Sequence, residues 1–201
     1  MNAIETLLAR RSVSPRLMKA PGPTPDQLQT LLRAGARAAD HGRLRPWRFI
    51  VFQGEARAQL GELFALARRQ RDPSATEADL DKERGKPLRA PLVLAVAAAV
   101  RQDLEAIRPV DQLLAAGAAA QNILLAAFAM GFGAMWLTGS NCHDPRVKHG
   151  LGLQEGDEIA GYLYVGSVDD LPPAAPVDDL PALVSHWTGP SPPARPPSSI
   201  P

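Results

Sequence analysis

The chain has 201 residues, 45% hydrophobic and 21% charged, with a formal net charge of +1. That length suits one domain with its own core, and that balance excludes a disordered polyelectrolyte and offers no general attraction for nucleic acid or an anionic membrane. The single cysteine, Cys142, excludes an intrachain disulfide, and residues 1–5 lack the basic start and apolar stretch of a secretory signal, so the cytoplasm is the expected compartment.

Residues 4–10 predict a short helix with Leu7 and Leu8 apolar. Residues 12–25 hold four prolines and read as an extended connection. Thr24 has the chemistry of an N-cap and Pro25 that of a first helical residue, and the spacing of Leu28, Leu31, Leu32 and Ala36 predicts an amphipathic helix to about residue 39. A polar loop at 40–45 leads into a strand at 46–52, which is aromatic and β-branched. Residues 55–69 predict a helix, and the charged stretch 72–84 a short surface helix. The apolar run 90–100 suits a strand buried on both faces. A long apolar helix follows over about 109–130, with Gly131 placed for a left-handed C-cap. A strand at 134–137, a helix at 143–149 and a strand at 158–168 complete the pattern.

Residues 113–136 contain no charged side chain and are long enough for a membrane span. Their alanine content, and Gln121 beside Asn122, favour a fully buried helix followed by a strand. A helix apolar all round belongs at the centre of a core or at a subunit interface. Half of the 20 prolines lie beyond residue 170. Residues 188–201 read as a disordered proline-rich tail behind a single domain of residues 1–187. Leu180, Leu183, Val184 and Trp187 are apolar enough to dock on the domain or on a partner.

The four histidines offer no metal-ligand spacing. Neither a nucleophile elbow nor a Walker-type phosphate loop occurs, and Gly131 and Gly133 follow a helix where a dinucleotide fingerprint follows a strand. Any difficult chemistry therefore belongs to a cofactor. Three segments are candidates for holding one. Arg10-Arg11-Ser12 supplies fork-shaped and hydroxyl donors for a phosphate, or else two arginines at the cation-favouring end of a helix. Residues 37–49 place Arg37, His41, Arg43 and Arg45 on a loop before a strand, either as ligand contacts or as a solvated basic loop. Residues 131–140 combine glycines with Trp136, Thr138 and Ser140, and suit either a flavin's edge or a buried strand between two glycine turns.

In this order and spacing the segments resemble the nitroreductase family of flavoproteins. Arg10-Arg11-Ser12 is similar to the family's opening R-R-S motif, and residues 41–49 to its N-x-Q-P-W-x-F element. Gly131-Phe132-Gly133-Ala134-Met135-Trp136 resembles its G-x-G-x-x-W element, with residues 150–153 and 159–166 similar to its closing elements. The resemblance spans about residues 3–168, and His41 with the compact length points to a small bacterial branch.

The resemblance implies an α+β fold with a central, mainly antiparallel sheet flanked by helices, and the long buried helix at the interface of a homodimer. It implies two FMN sites at that interface, with NAD(P)H as co-substrate. Hydride passes to FMN and then, in a second step, to a nitroaromatic, quinone or similar acceptor. A flavin store or sensor without turnover is the alternative. Carried over, Arg10, Arg11 and Ser12 hold FMN from one subunit, Arg37 and His41 reach it from the other, and Trp136, Leu137 and Thr138 complete the site. Ala126, Ala127, Phe128, Ala129, Met130 and Gly131 border the nicotinamide approach. Two positions depart from the pattern. Ser14 stands where many members carry a cation, which leaves Arg11 as the expected partner of the flavin N1–O2 edge, and residues 167–170 are acidic where longer members are basic.

Overall fold

The computed structural model describes residues 2–173 and 180–189. Four strands form one antiparallel sheet: β1 (Trp47–Gln53), β2 (Leu92–Ala98), β3 (Gly133–Leu137) and β4 (Glu158–Gly166), in the spatial order β1-β2-β4-β3. Every residue of β2 is buried. It has a strand on either side and a helical layer over each face, so the expected doubly buried strand is central in an antiparallel sheet.

The helices are α1 (Ala3–Ala9), α2 (Pro25–Gly35), α3 (Glu55–Arg71), α4 (Glu77–Gly85), α5 (Pro109–Ala129), α6 (Ser140–His143), α7 (Pro145–Gly150) and α8 (Leu180–Leu183). One face of the sheet packs on α5 and α2 through Leu94, Val96 and Leu163, with Ala119, Ile123 and Ala127 opposite. The other packs on α3 through Val93, Tyr162 and Tyr164, with Phe64 and Leu60 opposite. Period-two alternation in β4 therefore sends Tyr162 and Tyr164 to the α3 side and Leu163 to the α5 side.

Local chemistry places the ends. Thr24 and Gln27 form a reciprocal capping box with Pro25 at the first helical position. Gly131 closes α5 at φ +82, with Phe132 N–H donating to the Ala127 carbonyl. The expected helix at 143–149 divides in two, because Asp144 caps α7 by accepting from Arg146 N–H and Pro145 opens that helix. The strand expected to reach residue 168 ends at Gly166, since Ser167 exchanges both backbone hydrogen bonds with Lys19 in the N-terminal connection. The expected strand at 90–100 is shorter as well. The Ala90 carbonyl is taken by the Arg57 guanidinium and Val100 N–H by the Asp157 carboxylate.

The largest correction concerns α5. Its inner side supplies the core, but Val110, Leu114, Ala118 and Ala129 are exposed and Leu125 is half-buried. These positions recur at intervals of four or seven residues and so lie along one side of the helix. The helix is long and apolar enough to cross a membrane, and half of its most apolar stretch is buried inside the fold. Within one chain it is a one-sided core helix. Of residues 188–201, expected as a tail, 190–201 lie outside the described residues.

Candidate functional site

Beyond β3 the chain passes through Thr138 and Gly139 (φ +144) into α6. This turn, β4, α3 and the segment between α4 and β2 enclose a cavity of about 110 Å3. Its polar lining includes Lys86, Arg89, Thr138, Ser140, Asn141, Tyr162 and Tyr164. Tyr162 is buried, packs edge-to-face on Phe64 with ring centroids 5.2 Å apart, and has a hydroxyl without a hydrogen-bond partner among the described residues. A buried hydroxyl left unpaired costs about 1–3 kcal/mol, so this one marks a place for a ligand atom. Burial pushes the Tyr162 hydroxyl well above its ordinary value and that of Tyr164 up to about 12. Both stay protonated near neutral pH and are able to donate. Burial likewise pushes the adjoining Cys142 thiol up to about 11, which keeps it from acting as a nucleophile.

A chain of polar contacts fixes the cavity wall from behind. Lys86 Nζ donates to Glu83 Oε1 at 2.5 Å, and Asn141 Nδ2 donates to Glu83 Oε2 at 2.9 Å. Asn141 Oδ1 accepts from Arg71 at 3.0 Å, and Arg71 pairs with Asp144 at 2.5 Å. Burial raises the Asp144 carboxyl, but hydrogen bonds from Arg71 and the Arg146 N–H outweigh it, so the group titrates below the usual carboxylate range.

The expected N-terminal residues lie beside β3. Val13 N–H donates to the Ala134 carbonyl at 3.0 Å, which sets the preceding Arg10-Arg11-Ser12 at the sheet edge. Arg10 is the C-cap residue of α1 and forms no ion pair among the described residues. Arg11 donates to the Pro173 carbonyl at 2.9 Å, and Ser12 is exposed.

Arg37 and His41 lie on the α5 side of the sheet. Arg37 borders an apolar groove of about 400 Å3 together with Leu7, Asn122, Leu125, Ala126 and Ala129. His41 borders a second groove of about 370 Å3, beside Leu114 and Ala118 on the exposed stripe of α5. The loop from His41 to β1 is held in the left-handed region at Gly42 (φ +65), Arg43 (φ +56) and Arg45 (φ +50), and Asp40 accepts from Arg45 N–H. Two non-glycine residues there store local backbone strain of the kind that concentrates at ligand sites.

One chain therefore does not gather the expected residues into a single cavity. Leu137 and Thr138 border the cavity on the α3 side, while Arg37, His41, Ala126 and Ala129 line grooves on the α5 side. Ala127 and Phe128 are buried in the core, Met130 is half-buried and Gly131 is exposed. Trp136 points toward α5 and not into the cavity. Its indole N–H donates to the Ala160 carbonyl at 3.1 Å, which a bulge in β4 leaves out of the β2 pairing, and its ring lies over Gly161.

Sequence reasoning missed Lys86, Arg89, Glu83 and Asn141. The first three fall within or beside a charged segment that looks solvated, and only tertiary packing brings Lys86 and Arg89 to one cavity with Tyr162 and Tyr164. The two tyrosines were legible in principle, since an i, i+2 pair in a strand shares a face.

A family model described as the nitroreductase family matches residues 7–167. The chain belongs to this family. It is 41% identical over 169 residues to the Escherichia coli K12 protein named "Putative NAD(P)H nitroreductase YdjA", covering 83% of this chain and 88% of that protein. It is 32% identical over 187 residues to the "NADPH-flavin oxidoreductase" of Vibrio harveyi, covering 91% of this chain and 72% of the relative. Among solved structures, a nitroreductase-like protein from Bacillus cereus has the same fold, with a TM-score of 0.78 at 23% identity, covering 94% of this chain and 97% of that one. The relatives' named activities agree with the oxidoreductase class and the flavin and nicotinamide cofactors expected from the sequence.

Proposed function

We propose that this nitroreductase-family chain is an FMN-dependent oxidoreductase. It takes hydride from NAD(P)H and passes it to a nitroaromatic, quinone or similar small acceptor in two successive half-reactions. The observation that carries this reading is the cavity beside Leu137 and Thr138. It is rich in donors, it contains the unpartnered Tyr162 hydroxyl, and its two cations are Lys86 and Arg89. Such a donor set fits the acceptor-rich edge of an oxidised flavin, and fits it better once reduction makes that edge anionic. Arg11, expected at this edge, is engaged by Pro173. The role therefore passes to Lys86 and Arg89, and Arg10 with Ser12 remains for the phosphate.

FMN, when bound, supplies the centre that accepts and returns the hydride. The chain's own residues bind and orient. Thr138 and Gly139 offer backbone at close range, since the space beyond the Gly139 Cα is open. Arg10 and Ser12 offer charge and a hydroxyl to a phosphate. Ala126 and Ala129 leave an apolar approach free of bulky groups on which a nicotinamide ring can lie.

The separation of Arg37 and His41 from Leu137 and Thr138 supports a site shared between two copies. The open stripe of α5, continued by the exposed Ile4, Leu7 and Leu8 of α1, is an apolar face of the kind that associates. Sedimentation of the FMN-loaded protein should give a homodimer; a stable monomer would overturn that assembly.

The functional test is an absorbance spectrum before and after anaerobic addition of NADH or NADPH. Flavin bands that bleach, and return when a quinone is added, support the reductase. Flavin bands that persist would assign a flavin store or sensor. Protein that takes up no FMN on reconstitution would refute both. Arg10→Ala should weaken FMN binding at least tenfold in a fluorescence titration and affect riboflavin much less.

A further inference from the structure

The carboxylate of Glu83 is not among the groups that line the cavity, yet it touches two of them. Oε1 accepts from Lys86 Nζ, and Oε2 accepts from Asn141. Glu83 is 8% exposed, so water does not solvate this charge freely. Nor is the carboxylate free to rotate away, because Asn141 is held from its other side by Arg71, which Asp144 holds in turn. The ammonium of Lys86 is thus tethered to an immobile anion at its back, while the rest of the group faces the cavity.

We infer that Glu83 is the positioning residue for Lys86, and that it sets how much positive charge the cavity presents to the flavin. This rests on the flavin reading above. An ammonium in contact with a buried carboxylate projects less field into the cavity than a lone one, because the two charges nearly cancel at a distance. The pair also confines a flexible four-carbon side chain to one pose. Removing the carboxylate should leave the ammonium uncompensated and favour the reduced, anionic flavin. Removing the ammonium should do the reverse.

A purely structural role is distinguishable. If Glu83 only ties α4 to α6, its loss weakens FMN binding in both redox states alike and leaves the potential unchanged. If Glu83 compensates the Lys86 charge, its loss raises the potential, and removing both charges together returns it to near the parent's value.

The experiment measures the two-electron midpoint potential of bound FMN, with FMN affinity, for the parent, E83Q, K86Q and E83Q/K86Q proteins. E83Q should increase the affinity for reduced over oxidised flavin by about tenfold, which is about 30 mV upward for a two-electron couple. K86Q should move the potential downward, and the double variant, with both charges removed, should return to near the parent's value. An unchanged potential in E83Q, or a double variant that matches K86Q, would overturn the inference and leave the flavin reading standing. If E83Q does not fold, E83Q/K86Q measured against K86Q carries the test, because the double variant removes both members of the ion pair together. A K86Q potential equal to the parent's would overturn the inference. Parent protein that binds no FMN would remove the flavin reading and this inference together.

Discussion

Replacing Gly161 by alanine tests the packing that holds Trp136 off the cavity. A Cβ built on Gly161 stands 1.9 Å from the Trp136 Nε1, 2.5 Å from its Cδ1 and 3.1 Å from the Leu137 carbonyl oxygen. The indole cannot remain, and in moving it gives up its 3.1 Å hydrogen bond to the Ala160 carbonyl. That bond contributes about 1 kcal/mol net. Overpacking the α5 side of the sheet costs about 1–3 kcal/mol more. Restricting the unfolded chain offsets about 0.4–1 kcal/mol of this. The balance is a loss of about 1–3.5 kcal/mol, with a Tm fall of about 2–4 °C for each kcal/mol in a chain of this size. Urea and thermal unfolding of Gly161→Ala, read by far-ultraviolet circular dichroism, measure it. The same change in a Trp136→Leu background should cost at least about 1 kcal/mol less, because the offending ring is absent. A Gly161→Ala protein as stable as its parent would refute the packing account, as would equal costs in the two backgrounds.

Gly117 lies within α5 and its added Cβ would meet only Trp136, at an ordinary 3.6 Å. Gly117→Ala should therefore stabilise the fold by up to about 1 kcal/mol through helix propensity; a lower urea midpoint would contradict this. Asp144 titrates below the usual carboxylate range, held there against burial by Arg71 and the Arg146 N–H. Its contribution to stability is complete above about pH 4 and is lost as pH falls through the lower, folded value. Asp144→Asn should destabilise the protein at neutral pH and flatten the acid limb of its stability curve, whereas a parallel acid limb would show that Asp144 is not responsible. Cys142 is 1% exposed, and burial raises its thiol to about 11. A disulfide reagent should react with it only as fast as the chain unfolds, and rapid labelling in native buffer would contradict its placement.

Local and periodic features were legible in the residues alone. Thr24 with Pro25 predicted the start of α2, and Gly131 predicted the end of α5, because capping depends on a few neighbouring atoms. The alternating and continuous apolar runs located all four strands, and the ordered motifs named the family that the comparisons bear out. Boundaries set by distant partners were not legible. β4 stops at Gly166 because Lys19 pairs with Ser167, a contact between residues that are far apart along the chain. The uncharged run over 113–136 reads as buried on every side, since composition reports what a helix tolerates and not what covers it; tertiary structure leaves one stripe of α5 open. The candidate site divides the same way. Arg10, Arg37, His41 and Thr138 came from motifs, whereas Lys86 and Glu83 looked like solvated charges on a surface helix. Folding alone packs that helix on α3 and brings its end to α6, where Glu83 is buried, Asn141 meets it, and the following Lys86 becomes part of a cavity wall. Sequence determined which chemical groups exist and which turns begin and end them. Only the packing of distant segments determined which of those groups lose their water, and loss of water is what turns an ordinary charge into one that can act on a bound flavin.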